Sequence, residues 1–153
     1  MEGPPIDQAP SKHHPDVLAV HRYWEEKRRG RPMPARADID PFELKPFLPG
    51  LILIDVVEDA RRYVYRLVGT REVAMRGKDP TGKSMIEGFF APDLAAALAI
   101  PDQVVTTRTP FFLHRAFTAP DGRIGDEDLI MLPLSADGER VNMILGYTHH
   151  RLA

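Results

Sequence analysis

The sequence predicts an α+β domain: a five-stranded antiparallel sheet with helices on one face and one further helix at the N-terminus. Three observations lead there. Five short β-branched and apolar runs, at 51–57, 63–69, 111–118, 127–135 and 141–149, supply the strands. Between the second and third of them the apolar spacing becomes helical over 70–108. No alternation of single strands with single helices is present, which argues against a parallel βαβ sheet. At 153 residues the chain is long enough for one core between two layers of secondary structure.

Residues 1–15, MEGPPIDQAPSKHHP, are Pro-rich and polar and are expected to form a mobile tail, because they bury too little apolar surface to offset the entropy of ordering. They lack the apolar core of a secretory signal and the Arg-rich pattern of a transit peptide, so the cytoplasm is the expected compartment. Residues 16–50 are read as an N-terminal helix and its connection to a core at 51–150. Asp16 is placed to cap VLAVHRYWEEKRR, in which Val17, Val20, His21 and Trp24 recur at i, i+3, i+4 and i+7. Gly30 and Pro32 stop that helix. DPFELKPFL has Asp40 as a cap and Pro41 at the first helical position, the signature of a second, short helix.

LILIDVV and YVYRLVG flank the polar turn EDARR and read as a hairpin. TREVAMRG and DLAAALAIPDQVVTTR read as helices, with Pro101 expected to break or kink the second. PFFLHRAFT, DLIMLPLS and VNMILGYTH are joined by APDGR and SADGE, whose Asp-Gly pairs signal tight turns and hence a meander.

Composition removes several kinds of chemistry. The chain has no cysteine, so disulfides, thiolate-bound zinc, thiol catalysis and a covalent flavin adduct are all excluded. A formal charge of -2 gives no overall attraction to nucleic acid, and the basic KRRGR at Lys27–Arg31 reads as a helix end favoured by the helix dipole. No apolar run approaches the roughly 20 residues that cross a bilayer. No Ser-His-Asp order, HExxH or pair of acids at helical spacing points to catalysis, so the expectation is a non-enzyme.

GKDPTGKS, Gly77–Ser84, matches the phosphate-binding pattern G-x-x-x-x-G-K-[ST] and advocates the alternative function, a small nucleotide-binding protein. Its context argues against that use. A phosphate loop runs from a buried strand into a helix, whereas REVAMRG before Gly77 has charges at helical spacing. Ser84 and Glu87 in SMIE instead form a capping box, which makes GKDPTGK a Gly-Pro turn.

RADIDPFELKPFLPGLILIDVV, then YRLVGT and GKDPTGKS, resemble in this order the small stand-alone bacterial PAS-like domains of the PAS_5 type, once catalogued as a domain of unknown function. The resemblance runs from about His21 through Tyr147. It implies strand order 2-1-5-4-3 with short helices across the sheet, and a sensory role in signal transduction: binding of a small organic ligand between helices and sheet, or contact with a signalling partner protein. It also implies a homodimer through the helix ahead of the first strand, for which Val17, Val20, His21 and Trp24 offer the apolar stripe.

On that fold Tyr65, Leu67, Met75, Phe89, Phe90, Leu98, Phe112, Met131 and Met143 surround an inter-layer space, either as a pocket or as a filled core, two states with the same composition. Arg66 interrupts an apolar strand. Facing inward, it needs a protein carboxylate or a ligand's acid group; facing outward, it is a solvated edge charge. His114, in the third strand, is a candidate for a ligand or haem contact against the simpler role of a hydrogen-bonded histidine, and no stoichiometric haem is expected. His149 and His150 point to opposite faces of a strand and cannot easily share a metal, so no metal site is expected.

Overall fold

In the computed structural model the described residues are 13–88, 93–119 and 121–152. Most of the expected tail, and Phe89 and Phe90, lie outside them. Five antiparallel strands, β1 (Leu51–Val56), β2 (Tyr63–Val68), β3 (Phe111–Thr118), β4 (Ile124–Leu134) and β5 (Met143–Leu152), form one sheet in the order β2-β1-β5-β4-β3. Helix α1 (Pro15–Arg28) precedes the sheet, and α2 (Thr70–Arg76) and α3 (Leu94–Thr107) lie between β2 and β3. The Asp-Gly turns form at both expected places, with Gly122 at φ 91° and Gly138 at φ 82°, where a Cβ would be strained.

Register sorts the side chains onto two faces, because successive strand residues alternate. On one face the cross-strand rungs are Phe111–Met131–Gly146–Ile52 and Arg115–Glu127–His150. Tyr65 and Tyr63 join this face through their pairing with Ile54 and Val56. Helices α2 and α3 lie over it: Asp102 of α3 accepts a hydrogen bond from Tyr63, and Arg76 of α2 donates to the Tyr65 hydroxyl at 3.0 Å. On the other face the rungs are Phe112–Ile130–Tyr147–Leu51, His114–Asp128–His149 and Leu132–Leu145–Leu53–Leu67. Helix α1 lies over that one.

Helix α1 buries its stripe on its own sheet. Val17 and Val20 are fully buried, and Trp24, 2% exposed, donates its indole N–H to the Pro133 carbonyl at 2.9 Å. The stripe residues Val17, Val20 and Trp24 thus pack on the sheet of their own chain. The cap is also displaced from the expected Asp16. His14 is the N-cap, its side chain accepting from the Asp16 amide at 3.1 Å, and Pro15 takes the first helical position.

Three other elements depart from expectation. The segment after Asp40 is a 3-10 run, Pro41–Gly50, because Pro46 and Pro49 cannot supply the amides an α-helix needs. A further 3-10 turn, Arg36–Asp38, carries no periodic signal in so short a segment. Helix α3 continues through Pro101, which is buried within it. At the strand ends, β4 begins three residues earlier than expected and β5 continues to Leu152.

Candidate functional site

The helix-covered face holds a cluster of buried charge. Glu72, in the first turn of α2, forms an ion pair with His150 Nδ1 at 3.2 Å, and His150 Nε2 meets Glu127 Oε1 at 3.2 Å. The Arg115 guanidinium donates to the other Glu127 oxygen. His150 and Glu72 side chains are 4% and 5% exposed. Burial alone would lower the His150 pKa, but the hydrogen bonds and charges of Glu127 and Glu72 outweigh it and push the imidazole up to about 9. Burial raises Glu127, while His150 and Arg115 outweigh it and hold the carboxyl below its ordinary value. At neutral pH the His150 imidazole is therefore a cation and Glu127 a carboxylate, with Glu72 on the other side of the ring and Arg115 at the edge of the cluster.

Beyond the intervening Leu113–Leu129–Thr148 rung the same face becomes apolar. A Cβ on Gly146 would stand 3.0 Å from the Met131 sulfur, so the missing side chain is what lets Met131 lie across β5. Tyr65 is buried, with Arg76 over its ring at 5.0 Å from the centroid. Helix α2 thus contributes both a carboxylate and a cation to the sheet face, and anything that moves the cluster moves α2.

A second polar cluster lies on the α1 face. His13, His14, His114, Asp126, Asp128, His149 and Arg151 line a cavity of about 230 Å³. His13, 6% exposed, places Nδ1 2.7 Å from Asp128 Oδ1, and the His14 backbone amide donates to the other Asp128 oxygen. The His14 and His149 rings stack at 3.6 Å between centroids. His114 stands 3.9 Å from Asp128 and 4.0 Å from Asp126. Among the described residues no group of three or more His, Asp or Glu side chains is arranged to hold a metal ion.

The GKDPTGKS segment is occupied by its own fold. Gly82 N–H donates to the Tyr65 carbonyl at 2.8 Å, Lys83 N–H donates to Pro80 O at 2.9 Å, and Tyr65 N–H donates to Lys83 O at 2.9 Å. The Ser84 amide donates to Glu87 and the Glu87 amide to the Ser84 hydroxyl, each at 3.1 Å, a closed capping box. The amides a phosphate would need are committed, and the segment covers the open edge of β2 through a Val64–Ser84 bridge. The nucleotide-binding alternative has no support.

The sequence model of PAS_5, a PAS domain, matches residues 12–149. The chain belongs to the PAS_5 family of PAS domains. Solved structures share this PAS domain's fold. A PAS domain of a protein from Colwellia psychrerythraea is 11% identical with a TM-score of 0.53, over 72% of this chain and 95% of that one. A light-oxygen-voltage domain studied with a flavin analogue is 11% identical with a TM-score of 0.54, over 72% and 82%. VqmA bound to DPO is 17% identical with a TM-score of 0.55, over 72% of this chain and 56% of VqmA. Curated proteins yield no match. PAS domains are typically sensory and regulatory rather than catalytic, and no described helix of this one is long and apolar enough to cross a membrane.

The fold divides the residues expected to share one pocket. Tyr65 and Met131 lie on the helix-covered face, and half-buried Met75 and Leu98 lie on α2 and α3. Phe112, His114, Leu67 and Met143 stand on the α1 face, so they cannot line a space beneath α2 and α3. Arg66 sits at the β1–β2 register shift, 62% exposed, and donates to Asp55 at 2.9 Å, an edge charge with a protein partner. The polar residues that sequence reasoning passed over are Glu72, Arg115 and Glu127 on one face, where His150 was weighed only as a metal ligand, and His13, His14 and Asp128 on the other. Their only sequence signal is that three strands each carry an adjacent polar pair, His114-Arg115, Glu127-Asp128 and His149-His150.

Proposed function

We propose that this PAS domain is a non-catalytic sensory module that takes a small organic ligand on its helix-covered sheet face and passes the event on through α2. The supporting observation is the buried cluster Glu72–His150–Glu127–Arg115, which shares one sheet face with the apolar rung that carries Met131 and Gly146, two rungs along. A ligand's apolar body fits against Met131 and Tyr65, and a polar group of a small organic acid or a non-covalent flavin competes for the cluster's charges. Because Glu72 belongs to α2, that competition loosens or tightens the helix, which a signalling partner protein then reads. Self-association through α1 would have to use outward residues such as Arg22 and Glu26.

Native mass spectrometry and a visible absorption spectrum of gently purified protein test the reading. Expected are a retained small-molecule mass that Met131→Trp displaces and His114→Ala leaves in place, and no Soret band. A protein carrying no added mass, with no thermal shift on addition of flavin mononucleotide or small carboxylic acids, would overturn it, as would haem lost on His114→Ala.

A further inference from the structure

The α1 face carries chemistry that ligand binding on the other face leaves unused. Beside buried Val17 and the Tyr147–Asp16 hydrogen bond, helix α1 is held at its N-terminal end by imidazoles. His14 caps the helix by accepting at Nδ1, so this nitrogen must be unprotonated for the cap to exist. The same ring stacks on His149 of β5 at 15° between planes, an arrangement suited to two neutral rings and opposed by two charged ones. Seven residues on, His21 packs edge-on against Phe112 at 5.1 Å and lies 6.3 Å from the Trp24 ring.

We propose that mild acid releases α1 from the sheet while the sheet itself stays folded, making the N-terminal helix a pH-sensitive latch. The groups facing this contact come from every element around it: His13, His14, Asp16, His21 and Glu25 from α1, His114 from β3, Asp126 and Asp128 from β4, Tyr147, His149 and Arg151 from β5, and Arg71 from α2. Burial, then the charges of His14 and Arg71, lowers the His149 pKa below 6.5. Burial likewise lowers His21, with Glu25 opposing and Arg22 and Arg28 adding to it.

The sign follows from linkage. Both imidazoles have a lower pKa in the docked state, so the released state binds more protons and docking weakens as pH falls below the free value of about 6.5. The limit is about tenfold per pH unit for each histidine, or roughly a hundredfold for the two at pH 5.5. His114 lies 4.0 Å from Asp126 and 3.9 Å from Asp128, on the sheet with both. Glu25 is on α1 with His21 and travels with it. His13 on Asp128 is the contact that protonation strengthens, one against the cap, the stack and His21.

Hydrogen exchange on the whole chain reads the latch, and Trp24, the only tryptophan in the sequence, reports it independently because its indole is buried on Pro133. From pH 7 to pH 5.5, amide protection in 17–28, corrected for intrinsic rates, is expected to fall by up to about a hundredfold, with β4 amides unchanged. In the triple variant His14→Asn, His21→Gln, His149→Asn, which keeps a capping side chain, the α1 protection is expected to vary with pH by less than about threefold, whatever its absolute level. Three results would overturn the latch: constant wild-type protection, a fall that survives in the triple variant, or a fall shared equally by β4.

Discussion

Replacing His150 with glutamine removes the positive charge that links Glu72 to Glu127 while keeping a polar side chain of similar reach. The wild-type imidazole rises from 6.5 to about 9 on folding. That difference corresponds to about 3 kcal/mol of stabilisation, present in full below pH 6.5 and lost as pH rises through about 9. Roughly 1 kcal/mol of it remains at pH 8 and almost none at pH 10. The side chain is 4% exposed, so solvent screens the interaction little. For a chain of this length the loss between pH 7 and pH 10 amounts to roughly 5–10 °C in Tm. In His150→Gln, Glu127 keeps Arg115 but Glu72 loses its charged partner, which costs about 3–5 kcal/mol at neutral pH, the penalty of breaking a buried pair. Urea denaturation at intervals from pH 6 to pH 10 measures both effects. The expected result is a wild-type stability that falls with pH and a variant that is weaker at pH 7 but flat across the alkaline range. A wild type that is flat from pH 7 to pH 10, or a variant that keeps the wild-type slope, would refute the assignment of charge to this cluster.

Further perturbations address the other elements. A Cβ on Gly69 would lie 2.3 Å from Leu48 O and 2.4 Å from Pro49 O, both backbone atoms, so Gly69→Ala is expected to leave the protein insoluble or to cost more than about 4 kcal/mol on denaturation. Lys83 is exposed, and Lys83→Ala is expected to change stability by less than about 0.5 kcal/mol and to leave calorimetric titration with ATP as empty as the wild type. Ser84→Ala opens the capping box and is expected to cost about 1 kcal/mol, readable as a shifted urea midpoint with unchanged m. A chain beginning at Arg31 uncovers Phe112, Ile130 and Tyr147 and is expected to aggregate in light scattering; a soluble, cooperatively folding product would show that α1 is dispensable to the core.

Local chemistry was legible in the sequence. Strand alternation, Asp-Gly turns, the Ser84–Glu87 capping box and the i, i+3, i+4, i+7 stripe of α1 depend on residues a few positions apart, and for these the backbone has few alternatives. The five strands follow from that, as does their antiparallel pairing. What the stripe packs against was not legible, because an apolar face is equally content on its own sheet or on a partner, and only the fold shows Trp24 against Pro133. The candidate site depended on the tertiary structure still more. His13 meets Asp128 across 115 residues, and His150 joins Glu127 to Glu72 from three separate elements. A one-residue change of register would send each of these side chains to the opposite face, exchanging the His149 face for that of His150. The sequence by itself determined which residues form strands and which polar pairs they carry; cross-strand register, set by long-range packing, decided which pairs meet and on which side of the sheet.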